Sequence, residues 1–324
     1  MSTRRLTKFL GLILVVGLLL AVLPMQAKAQ GGIQAVLDVC AQGCTYSSIQ
    51  DAIDAASAGD TVLVSGTLVH TGTANINKDI TLTCTTDAKI QVSGTGHSFR
   101  LSASGSSIEG CDIEKTDKQG THNIISLEVS NVAVKNNKIH GQWAYTDTDV
   151  SRAMEVYAGN NTGLEISGNE IWGLRQPAYI NGNNTGIVSN NCVHGTKGWV
   201  VAGGYLTFTD NTFSGNIGDI AIIVGTQANY YPDILALSAA NNDAVVEDQR
   251  VSPAVLSVAY VDDSAAAGGN GTQASPYQTI QAGIDRVIAG GKVFVAAGTY
   301  NEDLEIGKSI TLLGPNADIS PNTG

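Results

Sequence analysis

Three glycine-marked turns carry the side chains best suited to recognition. His140, Trp172 and His194 immediately precede Gly141, Gly173 and Gly195, while Trp143, Arg175 and Lys197 follow the same glycines by two positions. Flat rings beside planar or cationic donors suit an extended polysaccharide, and an acidic one fits the cations best. Tyr145 joins this set. The segment between Ile139 and Ile171 is the most densely charged part of the central array, with Asp147, Asp149, Arg152 and Glu155. Asp147 and Asp149 offer hard oxygen ligands to calcium. Arg152, Arg175 and Lys197 are candidate bases for orienting or deprotonating a uronate beside such an ion. His140 and His194 read as turn residues rather than zinc ligands, since no third ligand stands near them in the sequence.

Stepping from these side chains to what must hold them, the turns prove to be a repeat. Val134-Lys-Asn-Asn137-Lys-Ile139-His140-Gly141 matches Ile166-Ser-Gly-Asn169-Glu-Ile171-Trp172-Gly173, and the pattern returns around Asn191 and Asn211. A degenerate copy carries Cys111 where the others carry Asn, and a fainter one surrounds Asn242 and Ala244. The apolar anchors Ile113, Ile139, Ile171, Val193 and Phe213 step by 26, 32, 22 and 20 residues. Unequal steps suit a solenoid of stacked strand-and-turn coils, whose extra residues bulge out as loops. Asn tolerates the left-handed backbone of such turns, and its amide can bond to its neighbours along the axis. Coils stacked in register would bring His140, Trp172 and His194 into one file and Trp143, Arg175 and Lys197 into another.

A second repeat opens the chain. Tyr46-Ser-Ser-Ile49-Gln50-Asp-Ala-Ile53-Asp54 recurs as Tyr277-Gln-Thr-Ile280-Gln281-Ala-Gly-Ile284-Asp285, and each copy runs on to Lys-x-Ile-Thr-Leu at Lys78 and Lys308. Isoleucines four apart share one face of a short helix, which a strand then follows. Such a helix would cover an open solenoid end. The second copy has few residues after it, so residues 277–324 are expected to begin a second, truncated unit, after a linker at 251–276.

Arg4, Arg5 and Lys8 precede an apolar run from Phe9 to Leu23 and an Ala27-Lys28-Ala29 site. This is the pattern of a secretory signal peptide over residues 1–29, and the run falls short of a membrane span. Its removal takes away four bases and no acid, shifting the formal charge from −11 to −15. A mature chain so acidic, without a basic stripe, is not built for nucleic acid. Export permits disulfides, and Cys40 and Cys44 are close enough to pair. Cys111 and Cys192 read as small buried packing residues, and the odd cysteine count leaves at least one thiol unpaired, without deciding which of Cys84, Cys111 and Cys192 stay free.

The asparagine turns and the doubled opening motif resemble the right-handed parallel β-helix superfamily, often called pectin-lyase-like, in its bacterial exported surface proteins. The stretch Tyr260-Val-Asp262-Asp263, Gly269-Asn270-Gly271 and Ser275-Pro276-Tyr277 is similar to the start of many surface β-helix proteins. The resemblance implies an all-β solenoid at 30–250 with a capping helix near residues 45–70. It says little of chemistry, because one fold hosts many activities. The catalytic sets of the family's hydrolases, lyases and esterases are incomplete here: Arg175-Gln-Pro177 is half of the lyase pattern, and Asp262-Asp263 lies outside the central coils. The reading that follows is a secreted or cell-surface protein presenting a rigid polysaccharide- or partner-binding face and needing no cofactor. The alternative is a calcium-assisted lyase acting on acidic glycans.

Overall fold

Apolar residues at alternate positions turn inward from three sheets, and this alternation winds the chain into coils. A computed structural model describes residues 34–118 and 120–317, so the expected signal segment 1–29 lies outside the described residues. Each coil places one short strand in each of three sheets, which hold eight, seven and eleven strands. Ala133–Lys135, Lys138–His140 and Arg152–Val156 form one coil, and Leu164–Ser167, Glu170–Trp172 and Gln176–Ile180 form the next. They pair in parallel with Val134 opposite Ile166, Ile139 opposite Ile171 and Met154 opposite Ala178. The inward rows are fully buried. Each such aliphatic side chain contributes about 1.5–3 kcal/mol through its burial.

Between the eight- and seven-stranded sheets, the repeated asparagines form a continuous ladder. Nδ2 of Asn137 donates to Oδ1 of Asn169 at 3.0 Å, Asn169 to Asn191 and Asn191 to Asn211 at 2.9 Å, and Asn211 to Asn241 at 2.7 Å. Each Nδ2 also donates to a backbone carbonyl one coil back, such as Ile108 for Asn137 and Val134 for Asn169. The ladder side chains are buried and doubly bonded, which such burial requires. The left-handed backbone falls one residue earlier than expected, on Asn136, Gly168, Asn190 and Asp210. The ladder asparagine is therefore selected for its amide, and its predecessor for its backbone.

A helix covers each end of the stack. α1, Ile49–Ala55, is capped by the Ser48 hydroxyl and buries Ile49, Ala52 and Ile53. Lys78 closes its other end by donating to the carbonyls of Ile53, Asp54 and Ala56 at 3.0, 2.7 and 2.7 Å. α2, Ile234–Ala239, sits at the far end with Asp233 as its cap. Beside it the Tyr231 hydroxyl bonds both N–H and C=O of Leu206, standing in for a strand the sheet no longer has.

The span expected as a linker instead carries a strand, Val255–Val261, which pairs antiparallel with Val246–Asp248 and extends the eleven-stranded sheet. Its apolar run packs with Val287 and Val293 into a core of its own. α3, Ile280–Arg286, then leads to Val287–Val295 and Thr311–Leu313, added in parallel. Lys308 donates to Asp285 O at 3.1 Å, as Lys78 does in the first copy. Among the described residues no helix is long and apolar enough to cross a membrane.

Candidate functional site

His140, Trp172 and His194 stand on consecutive rungs of the seven-stranded sheet, in register. Their rings stack along the axis: His140 and Trp172 have centroids 4.3 Å apart and planes 1° from parallel, and Trp172 and His194 are at 5.4 Å and 7°. Rungs are about 4.8 Å apart, so the rings face one another and turn their edges outward. The sequence leads one to expect open faces; the stack uses both faces of Trp172. Each histidine meets an acid on the neighbouring outward file, His140 Nε2 to Asp112 at 2.8 Å and His194 Nε2 to Glu170 at 3.7 Å. The column is a stiffening rib with a polar edge.

The second expected file divides. Trp143 is 8% exposed and its indole N–H has no partner, while Tyr145 is 65% exposed. The Lys197 ammonium lies 5.8 Å from the Trp143 ring centre and 5.3 Å from that of Tyr145. Lys89, Lys115, Lys118 and Lys135 pair with carboxylates, whereas Lys197, like Lys138, joins no ion pair among the described residues. Arg175 holds the matching place on its coil but joins no aromatic ring, and burial holds its guanidinium below the usual value, with nearby Arg152 adding to the effect.

Trp143 and Tyr145 line a cleft of about 410 Å³ with Gly195, Thr196 and Ile217. Its other wall is the loop that follows Val255–Val261, including Gly268, Asn270 and Ser275, tied down by Asn270 Nδ2 donating to Ile217 O at 2.9 Å. The rib at His140 and His194 leads along its strands to this cleft, since Trp143 lies three residues after His140 and Gly195 directly follows His194. The cleft has an aromatic wall, and the Lys197 ammonium beside its Trp143 and Tyr145 rings is a donor for an acceptor-rich ligand.

Residues 80–233 match the family model for a right handed beta helix region. This protein is built on a right-handed parallel β-helix. No curated protein matches the chain. A solved chain from Geobacillus virus E2, ORF18, is similar at 13% identity with a TM-score of 0.19; the match covers 56% of this chain and 63%, under two thirds, of that one.

On this β-helix the expected catalytic and calcium residues have partners of their own. Arg152 donates to Gln176 Oε1 and Glu155 Oε2 at 2.8 Å each and lies 4.7 Å over the Tyr179 ring, on the outer face of the eleven-stranded sheet. Asp147 accepts from Lys118 at 2.8 Å and Ala144 N at 2.7 Å, bonds that hold its carboxyl below the usual range. Asp149 is buried, accepts from the Ser151 hydroxyl at 2.7 Å and lies 3.8 Å from Lys115 Nζ. Among the described residues no three His, Cys, Asp or Glu side chains gather as a metal site.

Cys40 and Cys44 are bonded, as expected. Cys111 is not a free packing residue: it is bonded to Cys84, one coil back. Its N–H donates to Asn137 Oδ1 at 2.9 Å, so the disulfide continues the asparagine ladder covalently. Cys192, expected as buried, is exposed, because it occupies an outward position of its strand beside Glu170. A further cavity of about 320 Å³ separates the last rung from the second unit, lined in part by Asn216, Asp219, Tyr260 and Thr272. No sequence signal marks Asp219, whose carboxyl burial pushes up to about 6.

Proposed function

We propose that this β-helix is an exported, non-catalytic protein that binds an extracellular polysaccharide at the cleft walled by Trp143 and Tyr145, with Lys197 beside those two rings. One observation supports the reading above the others: Lys197 lies against the two aromatic rings that line the cleft and joins no ion pair among the described residues. A sugar carboxylate beside the Lys197 ammonium would accept a charge-assisted hydrogen bond from it. The stacked rib and the docked loop make the walls rigid, which lowers the entropy cost of binding a flexible polymer. Export rests on the signal-like pattern of residues 1–29 and suits the two disulfides. The calcium-assisted lyase reading is less favoured, because Arg152, Asp147 and Asp149 are already engaged within the protein.

A glycan array probed with the purified protein tests this reading. Retention on acidic glycans, lost in Tyr145→Ala, is the expected result. Release of unsaturated product from polygalacturonate, followed by ultraviolet absorbance, would replace the binding reading with a lyase.

A further inference from the structure

The two copies of the capped motif part company on their far side. Aligned on Lys-x-Ile-Thr-Leu, Ala74, Ile76 and Leu82 correspond to Leu304, Ile306 and Leu312. The first three are 0% exposed, whereas the second three are 37%, 51% and 41% exposed. Up to that point the copies are built alike. Gln50 Oε1 accepts from Asn75 N at 2.7 Å, and Gln281 Oε1 accepts from the corresponding Glu305 N at 2.9 Å. Beyond this the second copy lacks the strands that Thr67–His70 and Ala74–Ile76 form in the first, and its far side lacks their cover.

In the first copy the cover is the next rung. Ala74 and Ile76 lie opposite Phe99 and Leu101, and Leu82 lies opposite Ile108, all in parallel register. That rung comes from the polypeptide directly following the Lys-x-Ile-Thr-Leu strand. Three other sheet ends of the molecule are guarded. α1 packs on Ala74–Ile76, the Tyr231 hydroxyl bonds the edge at Leu206, and Tyr46 bridges to Val39. Thr311–Leu313 has an open, apolar edge, which is a template for another strand.

The geometry points to Thr311–Leu313, with Leu304, Ile306 and Leu312, as the seat of one further parallel rung supplied by polypeptide that follows this strand in the same chain. Its inward positions would be apolar at alternate residues, as at Phe99, Leu101 and Ile108. A second copy of the molecule fits less well. Glu302, Asp303 and Glu305 outnumber Lys308 along the patch, so two such borders would on balance repel.

The test inserts a copy of residues 85–110 directly after Gly314, the place the alignment assigns to that rung. Amide exchange across residues 304–313 is expected to slow at least about tenfold. A control insert with the equivalents of Ile90, Phe99, Leu101 and Ile108 changed to Ser is expected to give no protection. No protection from the first insert, or equal protection from both, overturns the inference. The unaltered chain supplies a second arm: Ile306→Lys should leave the melting midpoint within about 2 °C, while Ile76→Lys lowers it by more than about 10 °C. Equal large losses would mean that the second face is already covered, and self-association abolished by Ile306→Lys would assign it to a second copy. Either result overturns the inference.

Discussion

Trp172 lies one rung above His140 with its ring 1° from parallel and 4.3 Å away. Both faces of the indole are thus occupied by protein, since His194 covers the other. Trp172→Ala should therefore cost stability, about 1–3 kcal/mol by chemical denaturation. Its effect on binding an acidic oligosaccharide should stay within roughly threefold. A binding loss as large as that of Lys197→Ala would move the ligand onto the rib.

The asparagine ladder predicts a sharp contrast between neighbours. Asn169→Ala removes the acceptor for the Asn137 N–H and Nδ2, and the donor to Asn191 and to Val134 O. Several buried groups lose their partners, so a loss of at least about 3 kcal/mol is expected in urea unfolding. Asn136→Gly, at a left-handed position with φ 55°, should be within about 0.5 kcal/mol of the parent. Similar losses for the two variants would contradict the division of roles.

How much of this can be read in the sequence follows from what each feature depends on. The coil stack is legible because Ile139, Ile171 and Val193 keep fixed offsets from an asparagine and a glycine, whatever the loop between them. The Cys84–Cys111 bond is not, because its partners are neighbours only once the coil register is known. Residue types place His140, Trp172 and His194 together but do not say whether faces or edges point outward. The second wall of the cleft is invisible for a similar reason: Asn270 reaches Ile217 across 53 residues, from a stretch that reads as linker. Asp219 carries no motif, and only packing distinguishes it from any loop acid.

The covalent ladder step makes its own prediction. Replacing Cys84 and Cys111 by alanine should cost about 3 kcal/mol in guanidine unfolding. Cys84→Ala with Cys111→Asn should recover part of that loss, because the amide at position 111 can rejoin Asn137. No recovery would show that the disulfide and the ladder are independent devices.

Two groups, the half-buried Asp219 and the buried His122, act in opposite directions with pH. Burial raises Asp219 to about 6 against the pull of the Val245 N–H and Asn216, so its contribution is full below about pH 4 and lost as pH rises through 6. Burial, with Lys115 adding, lowers His122 to about 4, so its contribution is full above pH 6.5 and lost as pH falls through 4. Urea midpoints of Asp219→Asn should therefore climb more steeply from pH 4 to 6.5 than those of the parent, and those of His122→Asn should fall. Parallel profiles for all three proteins would refute the assignment.

The central claim is that the cleft beside the rib takes an acidic glycan through Lys197. Calorimetric titration with acidic and neutral oligosaccharides, comparing the parent with Lys197→Ala, tests it most directly. The account predicts saturable, salt-weakened binding of acidic chains alone, reduced at least about tenfold in the variant. Binding that is absent throughout the panel, or unchanged when Lys197 is removed, would contradict it.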